Sequence, residues 1–130
     1  MKKWFYSLML ALTLSACAHG ADSPSLKGSH FESVVDGVTI TLFFDAKEPR
    51  AFGKVVNRYT SPYELNGNQI TFKQAATTMM MPFGKAAEVE QNYFRFLNEV
   101  RTFDLKEDTL ILRDSSGKEM KFQRVNRLPG

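Results

Sequence analysis

The chain has 130 residues and a formal net charge of +3, from 17 basic and 14 acidic side chains. Lys2 and Lys3 lie in a predicted leader; without them 15 basic residues face 14 acidic ones, a net charge of +1. A nearly neutral chain of this length excludes nucleic-acid binding and can form one domain with one core. Cys17 is the single cysteine, which excludes an internal disulfide.

The first predicted element is a lipoprotein signal peptide over residues 1–16. The two lysines are followed by WFYSLMLALTL, an apolar run that is too short to span a bilayer comfortably. The segment LSAC, from Leu14 to Cys17, then resembles the lipobox at which bacterial lipoproteins are cleaved and acylated. Because two or more acyl chains hold a protein stably at a membrane, we expect Cys17 to be lipidated and to anchor the chain. An ordinary signal peptide with an incidental cysteine is the alternative.

Residues 17–29 are predicted to be a flexible tether between the lipid and the domain, because they are small and polar and include Pro24, Gly20 and Gly28. The residue after the cysteine is Ala18 rather than aspartate, which by the lipoprotein sorting rule indicates the outer membrane. We therefore expect the domain to face the periplasm, with the cell surface as the alternative.

Short strands separated by turn signals follow from His30, and residues 30–127 are predicted to form one domain. Asp36-Gly37, Asn66-Gly67 and Glu107-Asp108 are typical hairpin turns, and Ser61-Pro62 is expected to break a strand. The predicted strands are HFESVV, VTITLFF, RAFGKVVNRY, YEL, NQITFKQ, AATTMMM, RTFDL, TLILRD and KEMKFQRV.

One amphipathic helix is predicted from Lys85 to Val100. Its apolar positions recur at helical spacing: Ala86, Val89, Tyr93, Phe96, Leu97 and Val100. Its polar side is predicted to comprise Glu88, Glu90, Gln91, Arg95, Asn98 and Glu99. Many strands with a single helix predict an α+β domain, in which a curved antiparallel sheet, forming a partial barrel, packs against the helix.

The run Met79, Met80 and Met81 allows two interpretations. Methionine is flexible and fills irregular gaps, which favours packing in the core. Thioethers are also soft ligands that favour Cu(I). In a strand, Met79 and Met81 would lie about 6.6 Å apart on the same face, where both could contribute to a Cu(I) site. The sequence offers no third good ligand nearby, so we expect packing and no metal.

No catalytic arrangement stands out in the sequence. His30 is the single histidine of the predicted domain, and the paired acids at Glu88 with Glu90 and at Glu107 with Asp108 occupy ordinary solvated positions. We therefore expect a protein that is not an enzyme and that uses no cofactor.

The chain from about Gly28 to Val125 resembles the META domain of HslJ-like heat-shock lipoproteins. The resemblance rests on four motifs in the same order: GKVVNRY from Gly53 to Tyr59, TTMMM from Thr77 to Met81, EVEQNYFRFLNEV, and DTLILRDSSGKEMKFQR. Five positions depart from the family pattern: Phe31 replaces a tryptophan, Ser61 a glycine, Thr78 an arginine, and Val56 and Met81 two cysteines.

The resemblance implies a binding or stress-response function without known chemistry. The family is linked to heat induction and novobiocin tolerance. Its most specific motif makes Asn57, Arg58 and Tyr59 the candidate binding residues. A structural role for Asn57 and Arg58 is the alternative. It also implies that Val56 and Met81 are neighbours, with Met81 filling the place of a cysteine. We expect a membrane-anchored envelope protein with an envelope protein partner. A binder of small apolar ligands or drugs, or a Met-based Cu(I) protein, is the alternative.

Overall fold

A computed structural model describes residues 26–126, which form nine strands and one helix. The strands are β1 (His30–Val35), β2 (Val38–Phe44), β3 (Arg50–Lys54), β4 (Arg58–Asn66), β5 (Gln69–Phe72), β6 (Ala76–Thr77), β7 (Val100–Lys106), β8 (Thr109–Asp114) and β9 (Glu119–Arg124), and the helix α1 is Gly84–Glu99. The predicted helix, Lys85 to Val100, is therefore confirmed to within one residue at each end.

The sheet is a closed antiparallel barrel rather than the partial barrel that the sequence predicts. Eight strands follow one another in the order β3-β2-β1-β9-β8-β7-β5-β4, and β3 also pairs with β4, which closes the ring. The ninth strand, β6, pairs with the outer part of β4. A barrel of eight strands is just wide enough for side chains to fill its interior. The α+β class with a curved antiparallel sheet and one helix is otherwise as predicted.

Two of the three predicted hairpin turns are present as predicted, and the third is shifted by one residue, since Asn66 pairs with Gln69 across Gly67 and Asn68. Val35 pairs with Val38 across Asp36 and Gly37, whose φ angles of 51° and 80° match the primed turn that such dipeptides favour. Lys106 pairs with Thr109 across the Glu107-Asp108 turn. These turns fix the register of the first and the last parts of the barrel.

Two predictions about the middle of the chain are wrong. The stretch from Arg50 to Tyr59 is not one strand, because residues 55–57 form a turn and β4 begins at Arg58. The predicted break at Ser61-Pro62 is absent, because β4 continues through both residues. Pro62 lies between the residues of β4 that pair with β6 and those that pair with β5, a gap that tolerates a residue without an N–H group.

Aromatic rings fill the barrel interior. Phe44 lies edge-on to Phe31 at 6.1 Å and to Tyr63 at 5.3 Å between ring centroids, an arrangement that aromatic pairs favour. Leu26 is also fully buried in this core, and the N–H of Gly28 donates to the carbonyl of Phe44. Residues 26–29, predicted as part of the tether, therefore pack as part of the domain.

Helix α1 lies across one end of the barrel. Tyr93 contacts Tyr59 of β4 at 5.6 Å and Phe122 of β9 at 6.4 Å, although these two strands lie on opposite sides of the ring. The helix ends where the N–H of Ser115 donates to the carbonyl of Glu99. We call this the helix end of the barrel, and the opposite end, where Leu26 enters, the tether end. Residues 26–126 contain one helix, α1, and it is not long and apolar enough to cross a membrane.

Candidate functional site

A buried carboxylate holds the β3–β4 turn. Oε1 of Glu90, on helix α1, accepts the backbone N–H groups of Val56 at 3.0 Å and Asn57 at 2.7 Å, and Oε2 accepts the side-chain amide of Asn57 at 2.9 Å. Both Glu90 and Asn57 are buried. A buried carboxylate with three N–H donors is well satisfied, so this contact fastens the helix to the barrel.

The amide of Asn57 also holds the segment before the helix. Its Oδ1 accepts the Thr78 hydroxyl at 2.8 Å and the Met80 N–H at 2.7 Å, and its Nδ2 donates to the Met80 carbonyl at 3.1 Å. The side chain of Asn57 thus uses its donor and acceptor atoms within the protein. Asn57, a candidate binding residue from the sequence, is a structural residue that joins the turn, helix α1 and the Met80 segment.

Tyr59 is likewise engaged inside the protein. Its hydroxyl donates to the Thr41 carbonyl at 2.7 Å and lies 2.5 Å from the Tyr93 hydroxyl. Burial raises the pKa of both tyrosines, so the pair stays neutral at physiological pH. Gly53 makes this approach possible, because a Cβ atom there would lie 2.1 Å from the Thr41 carbonyl oxygen and 2.9 Å from the Tyr59 hydroxyl. The Tyr59 hydroxyl of GKVVNRY can therefore reach the Thr41 carbonyl because position 53 of the same motif has no side chain.

Arg58 is the candidate residue that faces solvent. Its backbone pairs with Thr78, donating to the hydroxyl at 3.2 Å and accepting the Thr78 N–H at 3.0 Å. Its guanidinium makes no hydrogen bond or ion pair within residues 26–126. Lys54 lies directly opposite Arg58 in the β3–β4 register and is exposed too. The hairpin thus presents two positive charges beside Thr78.

The three methionines are exposed, which contradicts the prediction that they pack in the core. Met79 is 90% exposed, Met80 60% and Met81 87%, and Phe83 beyond Pro82 is 87% exposed. We call Met79, Met80, Met81 and Phe83 the Met surface. The buried side chain of Asn57 bonds to the backbone of Met80, in the middle of this surface. These bonds hold the Met surface in place on the barrel.

Val56 and Met81, the two positions at which the family resemblance implies cysteines, belong to neighbouring segments. Asn57, next to Val56, bonds to Met80, next to Met81. Contact between the Val56 and Met81 side chains remains a prediction. However, Met81 does not fill a buried cysteine position, because its side chain projects into solvent.

The remaining residues of chemical interest lie apart from this site. The His30 ring lies tilted against the Phe43 ring near the tether end, with 4.7 Å between the centroids, and Asp108 pairs with Arg124 at the same end. Glu88 pairs with Lys85 on the helix surface. Between Leu26 and Asn126, no three His, Cys, Asp or Glu residues are grouped so that they could hold a metal ion. Cys17, the predicted lipidation site, lies outside the described residues.

Sequence reasoning missed Glu90 because it assigned this residue to the polar side of the helix. A signal was available: Glu90 precedes Tyr93 by three residues and Leu97 by seven, so it lies on the buried stripe. A carboxylate on an apolar stripe needs partners, and Glu90 finds them in the β3–β4 turn.

The comparisons with known proteins agree with this architecture. The META domain family profile matches residues 22–127. An NMR structure of a protein from Burkholderia xenovorans is similar, with 18% identity, a TM-score of 0.64, and coverage of 91% of this chain and 100% of that chain. A second NMR structure has 19% identity and a TM-score of 0.60, over 75% of this chain and 90% of that one.

A crystal structure of a DUF4847-family protein from Bacteroides vulgatus is also similar, with 14% identity and a TM-score of 0.50, over 68% of this chain and 59% of that one. No curated protein sequence matches the chain. At these identities, the solved structures share the fold alone. The profile match spans most of the chain and includes the turn, the Met surface and helix α1, and on that basis the chain belongs to the META domain family.

Proposed function

We propose that this protein is a lipid-anchored, non-catalytic binding module of the outer membrane, of the stress-response type to which HslJ-like lipoproteins belong. Cys17 is its anchor, and the domain faces the periplasm. The Met surface is its binding surface. The observation that carries this proposal is the exposure of four large apolar side chains, each 60–90% exposed, at one site.

Exposed apolar side chains that cluster on a well-folded domain mark binding surfaces. Burying each of them in a partner would contribute about 1.5–3 kcal/mol before the costs of association. The Met80 backbone is held by Asn57, which lowers the entropy that binding would have to remove. Methionine also adapts its shape to the partner that it meets.

The polar residues of the family motif give no support to catalysis. Asn57, Glu90 and Tyr59 use their polar atoms to hold the fold together, and the two tyrosine hydroxyls are neutral. The exposed polar groups of the motif are the ammonium of Lys54 and the guanidinium of Arg58, two solvated cations suited to binding rather than to proton transfer.

A crosslinking experiment on intact envelopes tests the proposal. The wild-type protein is compared with Met79→Ser/Met81→Ser/Phe83→Ser and with Leu65→Ser, a matched control that removes an exposed apolar side chain from another part of the barrel. We expect the same crosslinked protein to be recovered with the wild type and the control, and to be lost with the triple variant.

Equal recovery with all three proteins would contradict a binding function for the Met surface. Recovery of a copurified lipid or drug in place of a protein would favour the alternative, a binder of small apolar ligands.

A further inference from the structure

We propose that the partner of the Met surface is a periplasmic protein, and that it docks an apolar segment flanked by carboxylates on the barrel end that faces away from the membrane. This inference rests on the proposed function, because it takes Cys17 as the anchor. It is supported by two observations: the positive charges beside the Met surface, and the position of residues 26–29 at the tether end.

The first observation is an uncompensated positive rim. Arg58 pairs through its backbone with Thr78, the residue that precedes Met79, so its charge lies at the edge of the Met surface. Lys54 lies directly opposite Arg58 in the hairpin. Like charges in such a pair oppose each other, and within residues 26–126 neither side chain has an acidic partner. A partner that supplies carboxylates would relieve this repulsion while it covers the apolar side chains.

An apolar surface with a positive rim suits either an acidic protein or the anionic headgroups of a bilayer. The second observation distinguishes these occupants. The chain enters the domain at the tether end, where the Gly28 N–H donates to the Phe44 carbonyl and the Lys27 side chain reaches the Lys47 carbonyl. The Met surface follows Thr77, which pairs with Tyr59 next to the β3–β4 turn at the helix end. The first described residues, from Leu26, and the Met surface thus lie at opposite ends of the barrel.

The length of the tether limits how the domain can turn. Residues 17–25 span at most about 30 Å when fully extended. The seven residues of β2 alone span about 23 Å along the strand. To press the Met surface against the bilayer that holds Cys17, the tether would have to run fully extended back along the barrel. With the tether end toward the bilayer, an orientation that needs no stretching of the tether, the Met surface faces the periplasm, where a protein can reach it and a bilayer cannot.

The test places a photo-reactive amino acid in the full-length, lipidated protein in cells. It replaces Met79 or Phe83 on the Met surface, and Lys47 at the tether end as the control. We expect a discrete protein adduct from positions 79 and 83 and none from position 47. The adduct is identified by mass spectrometry, and that protein is purified and titrated with the full-length lipoprotein in detergent.

In the titration we expect Met79→Ser/Phe83→Ser to weaken binding at least tenfold. Arg58→Glu should weaken binding most at low salt, because it reverses the charge that meets the carboxylates. Leu65→Ser should leave the affinity unchanged.

Phospholipid adducts from positions 79 and 83 would overturn the proposal in favour of a bilayer. The absence of adducts, equal adducts from position 47, or stronger binding by Arg58→Glu would overturn it as well. If a protein adduct forms but the protein does not fractionate with membranes, the Met surface is still a binding surface and the Cys17 anchor is refuted. Failure of the anchor is therefore distinguishable from failure of the binding surface.

Discussion

At the scale of single residues, hydrogen bonds within the fold account for the glycine, the asparagine and the tyrosine of the family motif GKVVNRY. Gly53 admits the Tyr59 hydroxyl to the Thr41 carbonyl, and Asn57 joins the turn to helix α1 and to Met80. The buried residues of the motif therefore hold the fold together, while Lys54 and Arg58 face solvent.

Glu90 is the residue on which this arrangement depends most. In Glu90→Gln, the amide nitrogen would face an N–H donor, so at least one of three N–H groups loses its acceptor. We expect a loss of about 1.5–3 kcal/mol in the free energy of unfolding, the usual cost for bonds to a charged acceptor. Urea unfolding measures this change. Glu88→Gln, two residues away on the helix surface, is the control and should leave the unfolding midpoint unchanged; equal effects for both variants would refute the role of Glu90.

The exposed methionines also permit a direct test of metal binding. Consecutive side chains of an extended chain point alternately to opposite sides, so Met79, Met80 and Met81 cannot readily converge on one ion. We expect that the full-length protein takes up no stoichiometric Cu(I), and that changing all three residues to leucine alters neither copper binding nor the melting temperature. Competition with a Cu(I) chelator measures the affinity. Tight uptake that is lost in the leucine variant would establish the soft-metal site instead.

At the scale of secondary-structure elements, the sequence predicts what local chemistry determines. The Asp36-Gly37 and Glu107-Asp108 turns carry their own signals, and helix α1 has a clear apolar stripe. The β3–β4 turn is different: Val55, Val56 and Asn57 have no turn signature, and the N–H groups of Val56 and Asn57 are satisfied by Glu90, more than thirty residues later. A turn that is stabilised by a distant residue cannot be read from its own sequence.

The exposure of the Met surface cannot be predicted from the sequence for a related reason. A run of apolar residues is buried in most proteins, so the sequence predicts core packing for Met79 to Met81. In the structure, Asn57 holds Met80 by its backbone, which fixes the segment without burying its side chains. Hydrogen bonds to main-chain atoms leave no trace in the sequence of the segment that receives them.

The loop between β2 and β3 has a pH-dependent contact. Asp45 accepts the N–H groups of Lys47 and Glu48 and pairs with Arg50, and these interactions, in that order, lower its pKa from 3.8 to about 2. A lowered pKa contributes stability that is complete above the unfolded-state value and is lost as the pH falls toward about 2. We expect Asp45→Asn to melt below the wild type at pH 6 and the difference to shrink between pH 4 and pH 2, in a series of thermal melts. A constant difference over this range would show that the charge of Asp45 is not involved.

Restoring the two family cysteines tests how the turn and the Met surface are joined. In Val56→Cys/Met81→Cys, we expect a disulfide to form under oxidising conditions and to raise the free energy of unfolding by about 2–4 kcal/mol. Met81→Cys alone should be neutral, because Met81 is exposed. Thermal melts of the double and single variants with and without reductant measure the gain. Free thiols in the oxidised double variant would mean that the two positions do not pair.

At the scale of the whole molecule, closure of the barrel is what the sequence analysis missed. The sequence predicts one strand from Arg50 to Tyr59, and without the β3–β4 turn there is no pairing that joins the two edges of the sheet. Closure removes the edges at which a sheet can aggregate, and leaves β6 as the short strand outside the ring. The core then extends to Leu26, so the tether available to an anchored domain is shorter than the sequence suggests.

The anchor itself determines whether this domain acts at a membrane. The mature chain would be held by acyl chains on Cys17, each contributing about 0.8 kcal/mol per buried methylene, so two or more chains would anchor it stably. Serine offers no thiol for acylation. We therefore expect Cys17→Ser to move the protein from the outer-membrane fraction to the soluble fraction, or to leave it unprocessed, when salt-washed membranes are separated by density and probed with an antibody. Ala18→Ser, which keeps the cysteine, is the control and should remain with the membrane. If Cys17→Ser also stays with salt-washed outer membranes, the attachment lies elsewhere in the chain, and the Met surface becomes the first segment to examine for contact with lipid.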